Sequence, residues 1–167
     1  MGATTFEVYS TGRDPDSAFR EARDQALYDF GHAGYTGSIA EKGSFRMVKI
    51  PAGVRCTPKK FLELLHDVED FQSLAYLRSD LQWAKNAADK RRRESLIKKE
   101  ERRQASFWRK NIALKATLEH AEEIYGDKWG PCIALEVKGA QAVTIKKRNG
   151  RAGTHDRVFV FAGWASC

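Results

Sequence analysis

The chain has 167 residues, 42% of them hydrophobic and 31% charged, with a net charge of +7; this describes one folded domain with its own core and excludes wholesale disorder or a second independent core. No stretch approaches the roughly 20 apolar residues of a transmembrane helix, and the start MGATTFEVYSTGRD has neither the basic nor the apolar segment of a secretory signal, so a cytoplasmic protein without a membrane partner is expected. Cys56, Cys132 and Cys167 are far apart and never in a Cys-x-x-Cys pair, and His32, His66, His120 and His155 lack metal-ligand spacing, so no disulfide framework, metal or cofactor is predicted.

Residues 4 to 50 read as strand, helix, glycine-rich loop, strand. TFEVYS alternates, with Phe6 and Val8 on one face. Asp14-Pro15-Asp16 is a helix start, with Asp as N-cap, Pro at the first helical position and an acid in the first turn. Phe19, Ala22, Ala26 and Phe30 then recur at steps of three and four, giving one apolar face for a sheet, and Gly31 closes the helix. SFRMVKI follows as a strand, broken by Pro51-Ala52-Gly53.

From Lys59 to Tyr125 there is no Gly and no Pro, and Ala, Leu, Glu, Lys, Arg and Gln dominate, which is helical composition. Thr57-Pro58 opens the run and Gly126 ends it. Apolar rows at Phe61, Leu62, Leu64, Leu65, Val68 and Phe71, at Leu74, Leu77, Leu81 and Ala84, and at Ile112, Leu118, Ala121 and Tyr125 flank a segment, 85 to 104, that is polar almost all round. One unbroken helix over 72 to 125 would span about 80 Å, so two long helices folded as a hairpin are predicted, with the reversal within 86 to 100.

The charge excess lies in this insertion. Residues 78 to 110 hold twelve Lys and Arg against five acids; the 29 basic residues less these twelve leave seventeen, and the 22 acidic residues less these five leave seventeen, so the rest is neutral. A solvated helical tip is one reading of KRRRESLIKKEERRQ. The other is a polyanion-contacting arm, because clustered Lys and Arg gain affinity by releasing counterions. On that reading Lys90, Arg91, Arg92, Arg93, Lys98, Lys99, Arg102, Arg103 and Arg109 meet phosphates, and Trp108, beside Phe107, stacks on bases.

PCIALEVK, AQAVTIKK and DRVFVFAGWA complete the chain as three further strand candidates, with Asn149-Gly150 as a hairpin turn before the last. Val158, Val160 and Ala162 alternate with Phe159 and Phe161, as in a central strand covered on both faces. The predicted fold is α+β: a mostly antiparallel sheet of about five strands, one packing helix and an inserted long helical hairpin. Residues 1 to 167 form a single domain, with 1–56 and 127–167 as the α+β body and 57–126 as the insertion with a basic tip.

GHAGYTGSIAEKG, at 31 to 43, parses as Gly-x-x-Gly-x-x-Gly but follows a helix and precedes a strand, the reverse of a phosphate-cradling loop. Its Gly-x-x-Gly units also occur in KH domains, in another context. Two readings stand: a long turn anchored by Tyr35 and Ile39, or a ligand loop in which His32, Gly34, Tyr35, Thr36 and Gly37 line a pocket with Lys42 or Arg46 for an anion and Glu41 as a partner for His32. His155 reads as a surface turn residue and Trp164 as core.

GYTGSIAEK at 34 to 42 and FVFAGWAS at 159 to 166 resemble small uncharacterised proteins carried by bacteriophages, over the first fifty residues and the last ten. The resemblance implies no activity and no catalytic residue. It implies a small protein that binds nucleic acid, a host protein complex or a signalling nucleotide. A non-enzymatic nucleic-acid-binding protein is therefore the leading expectation. The alternatives are a sponge or hydrolase for a small phosphorylated nucleotide using the 31–42 loop, and a helical adaptor or homo-oligomer.

Overall fold

A computed structural model describes every residue except Met1, Ala33 and Gln72. The fold is α+β, with a four-stranded mixed sheet ordered β1-β4-β3-β2, where β1 is Ala3–Gly12, β2 Phe45–Met47, β3 Cys132–Val137 and β4 Arg157–Ser166. β4 runs antiparallel to both β1 and β3. The short β2 lies parallel to β3, so the sheet is mixed, with two of its three pairings antiparallel. The long helical insertion between β2 and β3 provides the crossover that a parallel pair requires.

β4 is covered on both faces, as its alternation predicts. Phe159, Phe161 and Ala165 join Phe6, Ala134 and Ile39 under α1 (Pro15–Phe30). Val158, Val160 and Ala162 join Ile133, Leu135 and Val137 on the other face, which is closed by α2 (Pro58–Glu69) and α5 (Lys115–Tyr125) through Phe61, Leu62, Leu65, Leu118 and Tyr125. Each such side chain contributes about 1.5–3 kcal/mol by leaving water. Two helices of the insertion are thus part of the core, so more than one helix packs on the sheet.

Local signals account for the helix ends. The Asp14 carboxylate accepts from the Ser17 N–H at 2.7 Å while the Ser17 hydroxyl accepts from the Asp14 N–H at 3.2 Å, a reciprocal capping box. Gly31 ends α1 at φ 83°, its N–H donating to the Leu27 carbonyl at 2.9 Å. Phe30, expected on the apolar face, is 62% exposed at the helix end. Thr57 caps α2, accepting from the Lys60 N–H.

The predicted strand AQAVTIKK is instead a helix, α6 (Gly139–Arg148), so the sheet has four strands and not about five. Both neighbours of β4 are taken by β1 and β3, and Ile145 with Ala142 packs onto the core while Val143 points out. Asn149-Gly150 ends this helix and makes no hairpin: Gly150, at φ 67°, sits where Arg151 N–H bonds the Lys146 carbonyl and Gly150 N–H the Lys147 carbonyl. That is the glycine-dependent pattern of a helix C-terminus.

Among the described residues the insertion contains four α-helices and a short 3-10 helix, Ile112–Leu114. Between α2 and α5 lie α3 (Leu74–Leu81) and α4 (Ala87–Lys110), which run antiparallel, with Arg93 beside Asp80 and Arg78 beside Glu101. The reversal falls at residues 82–86, just before the predicted 86–100, because Asn86 caps α4 by accepting from the Asp89 N–H at 2.9 Å. No helix among the described residues is long and apolar enough to cross a membrane.

Candidate nucleic-acid interface

α4 has 24 residues and rises about 36 Å. Its apolar content is too small to hold it by burial, and only Ile97 and Glu100 are buried. Polar contacts along one face do the rest. Asp89, Arg93, Ile97, Glu100 and Gln104 recur at steps of four, four, three and four and form the side turned to α3 and the body. The Arg93 guanidinium pairs with the carboxylates of Asp80 and Asp89 and donates to the Asp80 carbonyl at 2.6 Å. Arg103 donates to the Asp70 carbonyl at 3.0 Å and lies 5.3 Å over the Phe71 ring. The Lys85 N–H bonding the Asp89 carboxylate, with Arg93 next to it, holds that carboxyl below its ordinary range.

The opposite face carries only positive charge. Arg91, Lys98, Arg102 and Arg109 are separated by seven, four and seven residues, and Arg92, Lys99, Arg103 and Lys110 repeat the same steps one position on. Seven and eleven residues are close to two and three turns, so these are two parallel stripes about 27 Å long. Ser95, Ala88 and Ser106 are the residues between them. Of the eight cations, only Arg103 is in an ion pair among the described residues. The four acids of the helix are elsewhere: Asp89, Glu100 and Glu101 bond inward and Glu94 is half-buried.

Of the candidates named from sequence, Lys90, Arg91, Arg92, Lys98, Lys99, Arg102 and Arg109 are exposed and outside every ion pair among the described residues. Arg93 and Arg103 are engaged within the molecule. Trp108 is half-buried, 5.0 Å from the Phe107 ring and 6.0 Å from Phe71, with the Lys115 ammonium 5.5 Å over it. The aromatics that sequence reasoning passed over are Tyr76, 70% exposed on α3, and Trp83, 71% exposed in the α3–α4 turn. Their signal was position: they precede the basic run, whereas Phe107 and Trp108 follow it.

The glycine-rich loop is held from within. Thr36 donates both its N–H and its hydroxyl to Glu41 Oε1, each at 3.0 Å, and its hydroxyl also meets that of Ser38 at 2.7 Å. Burial pushes the Glu41 carboxyl up, but these bonds and the Tyr35 N–H outweigh it and hold the group below the ordinary range. Gly37 donates to the Ser166 carbonyl at 2.8 Å, and a Cβ there would come within 2.5 Å of Thr4 Cγ2. Lys42 is 0% exposed, its ammonium donating to the carbonyls of Asp127 at 2.8 Å and Gly130 at 3.1 Å. Two of its three donors are therefore taken by backbone carbonyls, with burial holding its pKa below that of a free lysine.

His32, Gly34 and Tyr35 remain exposed, and no bond joins His32 to Glu41 among the described residues. Tyr35, a non-glycine residue at positive φ (57°), stands perpendicular to Trp129 with ring centres 6.5 Å apart. Comparison with protein-family models, curated proteins and solved structures gave no match.

Proposed function

We propose that the protein binds nucleic acid, without turnover, through the solvent face of α4, with the α+β body as its platform. The observation that carries this reading is the separation of charge by face. A helix exposed merely for solubility mixes both signs over its solvent face, whereas the acids of α4 pair with Arg93, Arg78 and Arg103 and seven of the eight cations in the two stripes stay outside every ion pair among the described residues. Each phosphate neutralised by such a base releases condensed counterions, and that release drives association.

The test is the salt dependence of binding to a labelled oligonucleotide, followed by fluorescence anisotropy. With five to seven phosphates neutralised, the slope of log K against log salt is about −4.5 to −6 for a duplex and about −3.5 to −5 for a single strand. Reversing three charges of one stripe, Arg91→Glu, Lys98→Glu and Arg102→Glu, weakens binding to all sequences alike and flattens the slope. Salt-insensitive binding, or no binding at low salt, would sink the reading.

A further inference from the structure

Building on that reading, we infer that the strand bound is single, and that its bases stack on Trp83, with Tyr76 as a second platform. The two rings are 71% and 70% exposed and enter no ring contact or cation–π contact among the described residues. Large aromatics elsewhere in the insertion are used: Phe71, Phe107 and Trp108 pack on one another, and Tyr125 is buried.

Their placement ties them to α4. Gln82, Trp83 and Ala84 donate to the carbonyls of Ser79, Asp80 and Leu81, so the chain goes on turning helically past the end of α3. Tyr76 and Trp83 thus stand seven residues apart on one continuously turning segment. The Asp80 main chain, three residues before Trp83, is bonded by Arg93 of α4. Lys85 N–H bonds the Asp89 carboxylate at 3.0 Å. The turn bearing Trp83 is thereby fixed against the first turns of α4, where the stripes begin at Arg91 and Arg92.

A duplex keeps its base faces inside its own stack and presents phosphates and groove edges. A single strand presents both phosphates and open base faces, and stacking on an aromatic side chain strengthens its binding with little regard to sequence. Two exposed rings on the helix and turn packed beside α4 match the second ligand and would be idle with the first.

The experiment titrates the full chain with a 20-nucleotide oligothymidylate, an oligouridylate and a duplex of the same length, each over the same series of salt concentrations, reading anisotropy and tryptophan emission. The single strands are expected to bind at least tenfold more tightly than the duplex and to quench emission. Trp83→Ala should weaken single-strand binding about five- to a hundredfold and leave duplex affinity and the salt slope unchanged. Trp83→Phe should retain most of the affinity but lose the quenching, and Tyr76→Ala should give a smaller loss. The DNA and RNA oligomers separate the two sources of a single strand. Equal affinity for strand and duplex, with Trp83→Ala silent, overturns the stacking inference and leaves the basic face standing; no binding at low salt overturns both.

Discussion

Replacing Lys42 tests whether the glycine-rich loop is held together or held open for a ligand. Lys42→Ala removes three methylenes from a side chain with no exposed surface, worth about 0.8 kcal/mol each. It also removes two hydrogen bonds from a charged donor, at 2.8 and 3.1 Å, worth about 1.5–3 kcal/mol each. Against these stands relief from burying an ammonium, several kcal/mol. The net expectation is a loss of about 3 kcal/mol, a large part of the usual 5–15, measured by urea unfolding followed by circular dichroism. Lys42→Met, which keeps the stem, should lose about 1–2 kcal/mol through the two orphaned carbonyls.

The sign with pH follows from linkage. Burial lowers the Lys42 pKa in the fold, so the unfolded chain binds more protons between the two values, and this group's contribution rises as pH climbs from the folded pKa toward that of free lysine. Burial of Tyr9 and Cys132, each pushed up to about 12, acts in the opposite direction at alkaline pH. The difference between wild type and Lys42→Met cancels the loss from Tyr9 and reports the lysine together with Cys132, whose thiol feels the Lys42 charge. An Ala variant within about 0.5 kcal/mol of wild type, below the charged-bond range, or a Met variant with an unchanged alkaline limb, would refute the reasoning.

Two further predictions concern the supports of the loop and the arm. The Glu41 carboxyl is held below its ordinary range, so its contribution is present above the unfolded pKa and is lost as pH falls through the folded one; Glu41→Gln should flatten the acid limb of a stability profile, and an unchanged limb would show that the Thr36 bonds carry no linkage. Asn86→Ala removes the α4 cap at a cost of about 1 kcal/mol, read as earlier hydrogen exchange in residues 87–93 with the sheet amides unaffected.

What the sequence made readable was local or periodic. Asp14-Pro15, Thr57-Pro58, Gly31 and Gly126 mark helix ends because capping involves neighbours within a few residues. The alternation at 158–162 places β4 at the centre. The misreadings arise where a distant partner decides. Val143, Thr144 and Ile145 suit a strand, yet β4 already has β1 and β3 beside it. Trp108 looked free because Phe71, its neighbour across the helices, is far away in sequence. Lys42 was assigned to an anion because a lysine is almost never fully buried; the Asp127 and Gly130 carbonyls that bury it have no sequence signature. The two basic stripes, by contrast, are present as steps of seven, four and seven, and needed only the helix period to be applied to charge as well as to apolar residues.

The arm's attachment bears on how its salt dependence is to be read. α4 is docked partly by ion pairs, and salt screens these as it screens phosphate contacts, so the arm's order and its affinity both weaken in the same direction. The magnitudes separate them. Arg78–Glu101 is an exposed pair, with side chains 62% and 41% accessible, and such pairs contribute about 0–1 kcal/mol; the buried Ile97 and the Arg93 bond to the Asp80 carbonyl are insensitive to ionic strength by comparison. Neutralising five to seven phosphates, in contrast, changes affinity about 10²- to 10⁴-fold between 50 and 200 mM salt. A steep slope accompanied by unchanged helical circular dichroism over that range therefore reports counterion release at the outer face of α4, not melting of the α3–α4 pair.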